Sequence, residues 1–388
     1  MCGLKEWKEQ KIRSSTSHTK SKHKKSRRRT SAMATSSFTP AVYNGFVEAI
    51  GNTPLILLKG ASARTGCKIY GKAEFLNPGG SVKDRAARAL IEGLERRGEL
   101  KAGGTVVEGT AGNTGIGLTY VASAKGYKSV IVIPRTQTQE KKDTLRQAGA
   151  TLIEVDAKPY RDPNNYIKLS GRIAEALPGA VWANQFDNTD NRQAHVDTTA
   201  PEIYKQLNGK VDAFSCAVGT GGTLAGCSMW FKKNAPHVKV GLTDPCGAAL
   251  HRFYKDGELK SEGNSMTEGI GQGRITANLE GFTPDYNFEI DDEAALKACY
   301  ELMSSEGLSL GLSSGINVAG AERLARELGP GHTLVTILCD SASRYAGKMF
   351  NREFLREKGL PEPEWLSTKL PDEVKAALEQ ATAREEQS

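Results

Sequence analysis

Residues 106–133 read VVEGTAGNTGIGLTYVASAKGYKSVIVI. A short apolar run comes first, then a glycine-rich turn, a helical stretch that ends before Gly126 and a second apolar run at 129–133. Continuous apolar runs of this length are typical of strands covered on both faces. A glycine just past a helix favours a left-handed C-terminal cap. A strand, helix and strand in succession predict a parallel β-sheet covered by helices.

The same alternation continues over most of the 388 residues. Further strands are predicted at residues 151–155, 211–218, 238–242 and 333–338, and further helices at residues 82–97, 226–233, 291–305 and 315–327. In the first of these helices, Ala86, Leu90 and Leu94 recur at four-residue spacing and mark one apolar face. We therefore predict an α/β fold, and the chain length suits two lobes.

The two ends of the chain differ in composition from the rest. Residues 1–40 are rich in Ser, Thr, Lys and Arg, and we expect a disordered basic tail. A mitochondrial transit peptide has the same bias, and the run KHKKSRRR at 22–29 also resembles a nuclear or nucleic-acid motif. The predicted compartment is therefore the cytoplasm or the mitochondrion. Residues 361–388 are predicted to form a charged C-terminal tail with at most a short helix.

Charge and composition exclude several classes of protein. Residues 1–37 carry a net charge of +9, which leaves −2 for the remainder, so the folded part offers no basic surface for nucleic acid. No apolar run approaches the roughly 18 residues that cross a bilayer, so we expect no membrane span. The seven Cys contain no C-x-x-C pair and the six His are scattered, which argues against disulfides and a metal site.

A first glycine-rich loop, NPGGSVKDR at 77–85, precedes a predicted helix. Ser81 is a good N-cap and would place Lys83 in the first turn. The positive end of the helix dipole disfavours an ammonium and favours the neutral amine, which is the form that attacks a carbonyl carbon. On residue type alone, a surface lysine whose stem follows the helix is the commoner explanation.

Two more loops of this kind, EGTAGNTGIG at 108–117 and VGTGGT at 218–223, each connect a strand to a helix. Their backbone N–H groups and Thr hydroxyls suit a carboxylate or a phosphate, although a tight turn explains the glycines as well. Leu224 occupies the position where a dinucleotide fingerprint needs glycine, and no Gly-Lys-Ser/Thr is present. A lysine together with a phosphate cradle favours pyridoxal 5'-phosphate as the cofactor.

These motifs, with GLSSG at 311–315, occur in the order typical of the cysteine synthase (O-acetylserine sulfhydrylase) family of fold-type II pyridoxal-phosphate enzymes. The motifs IGNTPL at 50–55, NQF at 184–186, His195 to Tyr204 and EGIG at 268–271 are also similar to that family. The resemblance implies one catalytic unit over 41–360 with two lobes, each a mostly parallel sheet covered by helices. The smaller lobe would span about 76–188, and the larger about 51–75 plus 189–358.

The resemblance also implies a role for individual residues. Lys83 would hold the cofactor covalently and act as the base at Cα. The other cofactor ligands would be Asn113 for the phenolic oxygen, Gly219, Thr220, Gly221, Gly222 and Thr223 for the phosphate, and Ser313 for the pyridine nitrogen. The substrate would bind at Thr110, Ala111, Gly112, Thr114, Gln185 and Gly269. The implied reaction joins O-acetyl-L-serine and sulfide to give L-cysteine and acetate, in an enzyme expected to be a homodimer.

Two departures from the family pattern keep alternatives open. Ala111 stands where the family usually has Ser, so one hydroxyl donor for the substrate carboxylate is missing. The stretch Gly271-Gln272-Gly273-Arg274 departs from the family's more usual apolar sequence near the site mouth, where Arg274 would be an anion ligand or an ordinary surface residue. The alternative functions are cystathionine β-synthase, a serine or threonine ammonia-lyase, β-cyanoalanine synthase, and a catalytically weak cofactor-binding regulator.

Overall fold

A computed structural model describes residues 42–366 and 369–385. Predictions about residues 1–40 therefore lie outside the described residues. The ten strands of the described part are β1 Leu55–Leu57, β2 Lys68–Ala73, β3 Thr105–Gly109, β4 Lys128–Pro134, β5 Thr151–Val155, β6 Ala180–Trp182, β7 Ala213–Cys216, β8 Lys239–Pro245, β9 Tyr286–Ile290 and β10 Thr333–Leu338.

The α-helices of the described part alternate with these strands along most of the chain. They are α1 Lys59–Thr65, α2 Lys83–Arg96, α3 Asn113–Ala124, α4 Gln139–Gln147, α5 Tyr166–Ala176, α6 Asp190–Ala194, α7 Ala200–Gln206, α8 Gly222–Asn234, α9 Leu250–Asp256, α10 Asp292–Glu306, α11 Leu312–Leu328, α12 Ala346–Met349, α13 Arg352–Glu357 and α14 Asp372–Glu385. A π-helical turn, His195–Thr199, separates α6 from α7.

The strands form two sheets. One has four strands in the order β5-β4-β3-β6, all parallel. The other has six in the order β1-β2-β10-β7-β8-β9, in which only the β1–β2 pair is antiparallel. Two mostly parallel sheets with helices confirm the predicted α/β class. The four-stranded sheet uses residues between 105 and 182, while the exact lobe boundaries stay a prediction.

Helices α2 and α3 pack closely and share one apolar core, which contains Leu90 and Ile91 of α2 and Leu118 and Val121 of α3. A Cβ atom added to Gly117 would lie 3.1 Å from Cβ of Ala87, so the glycine permits this close approach. Because both helices begin at loops singled out above, their packing brings two of those loops together.

A buried ion cluster fixes α2 just after its first residue. Arg85 donates to Glu74 and to Glu202, and Lys72 of β2 also contacts Glu202. Burial alone would raise the pKa of Glu74, but the Arg85 guanidinium outweighs it and lowers that pKa to about 2. Removing one member of such a cluster leaves an unpaired buried charge, which typically costs about 3–5 kcal/mol.

The C-terminal segment ends in α14, whose residues are solvent-exposed as far as their side chains are described. Within residues 42–366 and 369–385, no helix has the length and apolar character that a membrane span requires.

Candidate active site

A cavity of about 450 Å³ opens beside the loops that the sequence singled out. Of the predicted site residues, its walls contain Lys83, Thr110, Ala111, Gly112, Asn113, Thr114, Gln185, Gly219, Thr220, Gly269 and Ser313. An adjoining cleft is lined by Gly221 and Thr223 and again by Lys83. Gly222 lines neither space. The structure therefore collects nearly all of the predicted residues in one place.

Lys83 is the first residue of α2. The helix begins two residues after Ser81, whose hydroxyl still accepts a hydrogen bond from the Lys83 backbone N–H at 3.2 Å. The cavity contains a second lysine, Lys141, which is buried and forms an ion pair with Glu268 at 2.6 Å. Among the described residues, no carboxylate forms such a pair with Lys83. Lys83 is therefore the cavity lysine whose amine is available for chemistry.

The loop before α8 is a cradle that only glycine can form. A Cβ atom at Gly219 would lie 2.3 Å from the Gly269 carbonyl oxygen, and one at Gly222 would lie 2.2 Å from Oδ1 of Asn191. Gly221 has φ of +91°, which other residues rarely adopt, and the helix begins at Gly222. The first N–H groups of a helix lack intrahelical partners, and they favour an anion at this end.

Four side chains outside the predicted ligand set hold this cradle. Asn191 donates to the Thr220 hydroxyl at 2.8 Å, and Gln272 and Thr276 donate to the backbone oxygens of Gly219 and Thr220. His195 lies within hydrogen-bond distance of the Thr223 hydroxyl, 3.2 Å from Nε2. Burial lowers the pKa of His195 to about 3, so the ring is neutral and cannot itself supply charge to an anion.

A chain of hydrogen bonds links the side chains around the loop before α3. The Thr114 hydroxyl donates to Oε1 of Gln185 at 2.6 Å, and the Gln185 amide donates to Glu108 and to the Gly109 carbonyl. Burial raises the pKa of Glu108 to about 8. Because these side chains satisfy one another, the loop meets a ligand chiefly with the backbone N–H groups at the start of α3.

Ala111 contributes no hydroxyl, and its neighbours are polar. Gln137, with its side-chain amide oriented to donate, reaches the Ala111 carbonyl at 3.1 Å and Glu268 at 3.0 Å. Glu268 also binds Lys348 at 2.6 Å, so two ammonium groups share one carboxylate at this wall. Burial lowers the pKa of Lys141, although Glu268 opposes this effect.

Arg274 lines the cavity, but it is not a free cation. Its guanidinium makes two hydrogen bonds to Asp187, at 3.0 and 2.8 Å, and lies 4.6 Å from the centroid of the Tyr160 ring. The Arg274 bonds outweigh burial and hold the pKa of Asp187 below its usual value. The structure therefore supports neither of the two interpretations left open above. Arg274 is not an unpaired cation that awaits an anion, and it is not a fully exposed surface residue.

Ser313 and Asn113 complete the wall. Ser313 is in the first turn of α11 beside Cys339, whose pKa burial raises to about 11. Asn113, the first residue of α3, donates from Nδ2 to Asp340 at 2.7 Å and accepts from Arg344 at 2.6 Å. The sequence did not single out Asp340 or Arg344, because neither lies in a glycine-rich loop.

These residues fit a phosphorylated aldehyde cofactor. The cradle at 219–222 has no room for side chains, the helix N terminus favours an anion, and an unpaired lysine faces the same space. No group of three or more His, Cys, Asp or Glu in the described part of the chain is arranged to hold a metal ion. Fold and site together define a two-lobed α/β enzyme that uses pyridoxal 5'-phosphate.

Comparison with known proteins agrees with this class. The model of the family "Pyridoxal-phosphate dependent enzyme" matches residues 47–340, and the chain belongs to that family. It is 52% identical to "Cysteine synthase 1" of Neurospora crassa over 82% of this chain and 86% of that protein. It is 53% identical to "Cysteine synthase 1" of Emericella nidulans over 82% of this chain and 87% of the relative.

A solved structure gives the same fold. The "O-acetylserine dependent cystathionine beta-synthase" of Helicobacter pylori matches with a TM-score of 0.73 and 32% identity, over 80% of this chain and 99% of that one. The cofactor of this family is pyridoxal 5'-phosphate, which confirms the cofactor predicted from the lysine and the phosphate cradle.

Proposed function

We propose that the protein is a cysteine synthase, which replaces the acetate group of O-acetyl-L-serine with sulfide to give L-cysteine and acetate. The observation that carries this proposal is the meeting of Lys83, the α3 N terminus and the α8 cradle around one cavity. The relatives at 52% and 53% identity, which are named cysteine synthases, support the substrate assignment.

Each loop has a part in holding the cofactor. The backbone of residues 219–223 would bind the phosphate, with Thr220 and Thr223 oriented by Asn191 and His195. Asn113 would donate to the phenolic oxygen and Ser313 would face the pyridine nitrogen. Lys83 would hold the cofactor covalently. When bound, the cofactor withdraws electrons from the Cα atom of the amino-acid substrate, which allows the Cα proton to leave.

Ser313 bears on the kind of reaction. A neutral hydroxyl cannot keep a proton on the pyridine nitrogen as a carboxylate would, so the ring is a weaker electron sink. Loss of a good leaving group from Cβ relieves that demand. The side chain at position 313 therefore favours replacement at Cβ over reactions that need a long-lived carbanion.

The substrate would bind with its carboxylate at the start of α3. Backbone N–H groups at the start of α3 suit this carboxylate, and Thr110 and Gly269 line the same cavity. Once the amino group of the substrate has displaced Lys83 from the cofactor, the freed Lys83 amine would take the Cα proton, the Cβ–O bond would break and acetate would leave. Sulfide then forms the new Cβ–S bond, and a proton returns to Cα from Lys83. Acetate leaves before sulfide is consumed, so the kinetics are of the ping-pong type.

A second candidate function keeps the first half of the reaction and changes the nucleophile. The structural neighbour from Helicobacter pylori is named for O-acetylserine and cystathionine, so its acceptor is larger than sulfide. In this chain, the ion pair of Lys141 and Glu268 lines the cavity and offers charges of both signs to an amino-acid thiol.

The test compares acceptors under one set of conditions. Purified enzyme is incubated with O-acetylserine and either sulfide or homocysteine, and acetate, cysteine and cystathionine are measured separately. We expect cysteine with a kcat/KM at least tenfold above that for cystathionine. Formation of cystathionine with homocysteine, without formation of cysteine with sulfide, would assign the second function. The absence of any product with either acceptor would contradict both functions.

The lobe boundaries and the assembly are part of the proposal. The catalytic unit spans 41–360, with the smaller lobe at 76–188, and the resemblance to the family supports a homodimer. Light scattering on the purified protein at micromolar concentration measures its mass against the 41.8 kDa of one chain. The compartment, cytoplasm or mitochondrion, follows from microscopy of the full chain and of a chain that lacks residues 1–40.

A further inference from the structure

The segment after β10, residues 339–345, connects the backbones of two cofactor loops. The Val82 N–H donates to the Cys339 carbonyl at 3.0 Å, and Ser81 forms an isolated β-bridge with Asp340. The Gly311 N–H donates to the Asp340 carbonyl, also at 3.0 Å. The loop that ends at Lys83 and the loop that leads to Ser313 are therefore both attached to Asp340.

The Asp340 side chain reaches a third cofactor loop. The residue is fully buried, and its Oδ2 accepts from Nδ2 of Asn113 at 2.7 Å and from the Tyr345 hydroxyl at 2.5 Å. Its Oδ1 has no hydrogen-bond partner within the described residues. A buried carboxyl group with an unsatisfied oxygen is costly to the fold, so stability alone does not account for Asp340 at this position.

Arg344 binds the oxygen atom of the Asn113 side-chain amide. Its Nη1 donates to Oδ1 of Asn113, and its Nη2 donates to the Gly79 carbonyl, both at 2.6 Å. A free asparagine amide can turn over and exchange its oxygen and nitrogen. Here, Arg344 fixes the oxygen and Asp340 takes one of the two N–H bonds. One N–H of Asn113 is left without a partner, and Asn113 lines the cavity.

We propose that Asp340 and Arg344 are positioning residues, which orient Asn113 so that its remaining N–H meets the ring oxygen of the cofactor. This inference rests on the role of Asn113 given under Proposed function. If the amide were reversed, a carbonyl oxygen would face the anionic ring oxygen and repel it. The pair thus determines whether Asn113 binds the cofactor or weakens its binding.

A double-mutant cycle on the full chain tests this, with Asn113→Ala, Asp340→Ala and the double variant. The readouts are the dissociation constant of pyridoxal phosphate, from protein fluorescence, and the position of the visible absorption band. Loss of one hydrogen bond to a charged oxygen corresponds to about tenfold in an equilibrium constant. We expect Asp340→Ala to weaken binding about tenfold and to shift the band, and to have no further effect when Asn113 is already Ala.

Three further variants make the test specific. Asp340→Asn keeps an acceptor for Asn113 and should restore the wild-type band. Asp244→Ala removes another fully buried carboxylate with one unpaired oxygen, on β8, and should leave the band unchanged. If Asp340→Ala does not fold, as judged by circular dichroism, Arg344→Met replaces it in the cycle with the same expectation.

The outcomes separate this inference from the proposed function. The positioning role would be overturned if Asp340→Ala bound pyridoxal phosphate with wild-type affinity and kept the wild-type absorption band. It would also be overturned if Asp340→Ala weakened binding as much in the Asn113→Ala protein as in the wild type. An Asn113→Ala variant that keeps the wild-type band would instead contradict the role of Asn113 itself. Failure of the wild-type protein to use O-acetylserine would contradict the proposed function without changing the cofactor band.

Discussion

Two lysines in one cavity differ in the chemistry that their surroundings allow. Lys141 is buried against Glu268 and lies 4.3 Å from the centroid of the Tyr345 ring, so its ammonium is held by an anion and an aromatic face. Lys83 stands at the positive end of α2 without a carboxylate partner in the described part of the chain. An amine that no carboxylate holds in an ion pair can attack the aldehyde carbon of a carbonyl cofactor.

The first prediction concerns covalent attachment. In Lys83→Ala we expect no covalent cofactor and no turnover, because no other cavity amine is free, while the far-ultraviolet spectrum stays unchanged. Borohydride reduction followed by peptide mass spectrometry locates the attached cofactor. The matched control is Lys141→Ala, which should keep the attachment. Cofactor found on another lysine in the wild-type protein would refute the assignment.

The second prediction concerns the missing hydroxyl at position 111. Ala111→Ser adds a donor where the substrate carboxylate is proposed to bind, and a hydrogen bond to a charged group contributes about 1.5–3 kcal/mol. We expect the KM for O-acetylserine to fall by about tenfold with kcat nearly unchanged. Ala111→Cys has similar size but is a weak donor and should change KM little. An unchanged or higher KM in the Ser variant would show that Gln137 and the backbone already satisfy the site.

At the residue scale, sequence reasoning succeeds where the signal is local. Lys83 and Asn113 each begin a helix after a glycine-rich loop, and Gly219 and Gly221 lie in the loop before α8; the structure places all four around one cavity or the cleft beside it. It fails for Asp340 and Arg344, because these act on Asn113 from more than 200 positions away in the chain. Only the folded chain brings such partners together.

At the scale of elements, the end of β3 combines a buried carboxyl group with the loop that is proposed to bind the substrate. Glu108 is fully buried and accepts from Gln185, which in turn orients Thr114. The native state holds the Glu108 proton up to about pH 8, since burial raises its pKa from the ordinary value of 4.5. The unfolded chain releases that proton near pH 4.5.

The third prediction is the resulting dependence of stability on pH. Between pH 4.5 and 8 the native state binds more protons than the unfolded chain, so this group makes the free energy of unfolding fall as pH rises, by about 1.4 kcal/mol per pH unit. Glu108→Gln lacks this contribution. Urea denaturation at pH 5, 6, 7 and 8 measures the free energy of unfolding of both proteins. The value for Glu108→Gln should increase relative to that of the wild type as pH rises.

Other buried carboxyl groups do not obscure this measurement. Burial also raises the pKa of Asp84 and of Asp244 to about 7, but both groups contribute equally to the two proteins and cancel in the difference. The control variant is Glu99→Gln, which neutralises an exposed glutamate. If plots of the free energy of unfolding against pH are parallel for Glu108→Gln and wild type, Glu108 is ionised in the native protein.

Strands with a long apolar run were predicted, and strands with a short or interrupted run were missed. The six predicted strands are all present, and residues 151–155 and 333–338 coincide with β5 and β10. Strands β1, β6 and β9 were not predicted, because their apolar runs are short. It also missed β2, which contains a buried Lys72 that breaks the apolar pattern and binds Glu202.

At the scale of the molecule, the residues of the proposed active site come from distant regions of the chain. Lys83, Gln185, Gly219 and Ser313 all line one cavity although they span more than 200 positions. Their loops follow or precede elements of both sheets, as expected for parallel sheets whose strand ends meet a common space. The described fold begins at residue 42, and the family match begins at residue 47.

The fourth prediction follows from those starting points. A chain of residues 42–388 behind an initiator Met should bind the cofactor and turn over O-acetylserine within about twofold of the full chain, because every site residue is retained. Cofactor titration and initial rates on the two proteins, purified alike, provide the comparison. A large loss of affinity or rate on truncation would show that residues 1–41 contribute to the site.

The most direct test of the central claim is the visible absorption spectrum of the purified protein, recorded alone, after O-acetylserine and then after sulfide. The proposed function predicts a yellow protein whose band shifts with O-acetylserine as one equivalent of acetate is released, and returns with sulfide as one equivalent of cysteine forms. A yellow protein that ignores O-acetylserine but responds to serine would contradict the proposed substrate. A colourless protein that takes up no pyridoxal phosphate would contradict the assignment of Lys83 and of the loops around it.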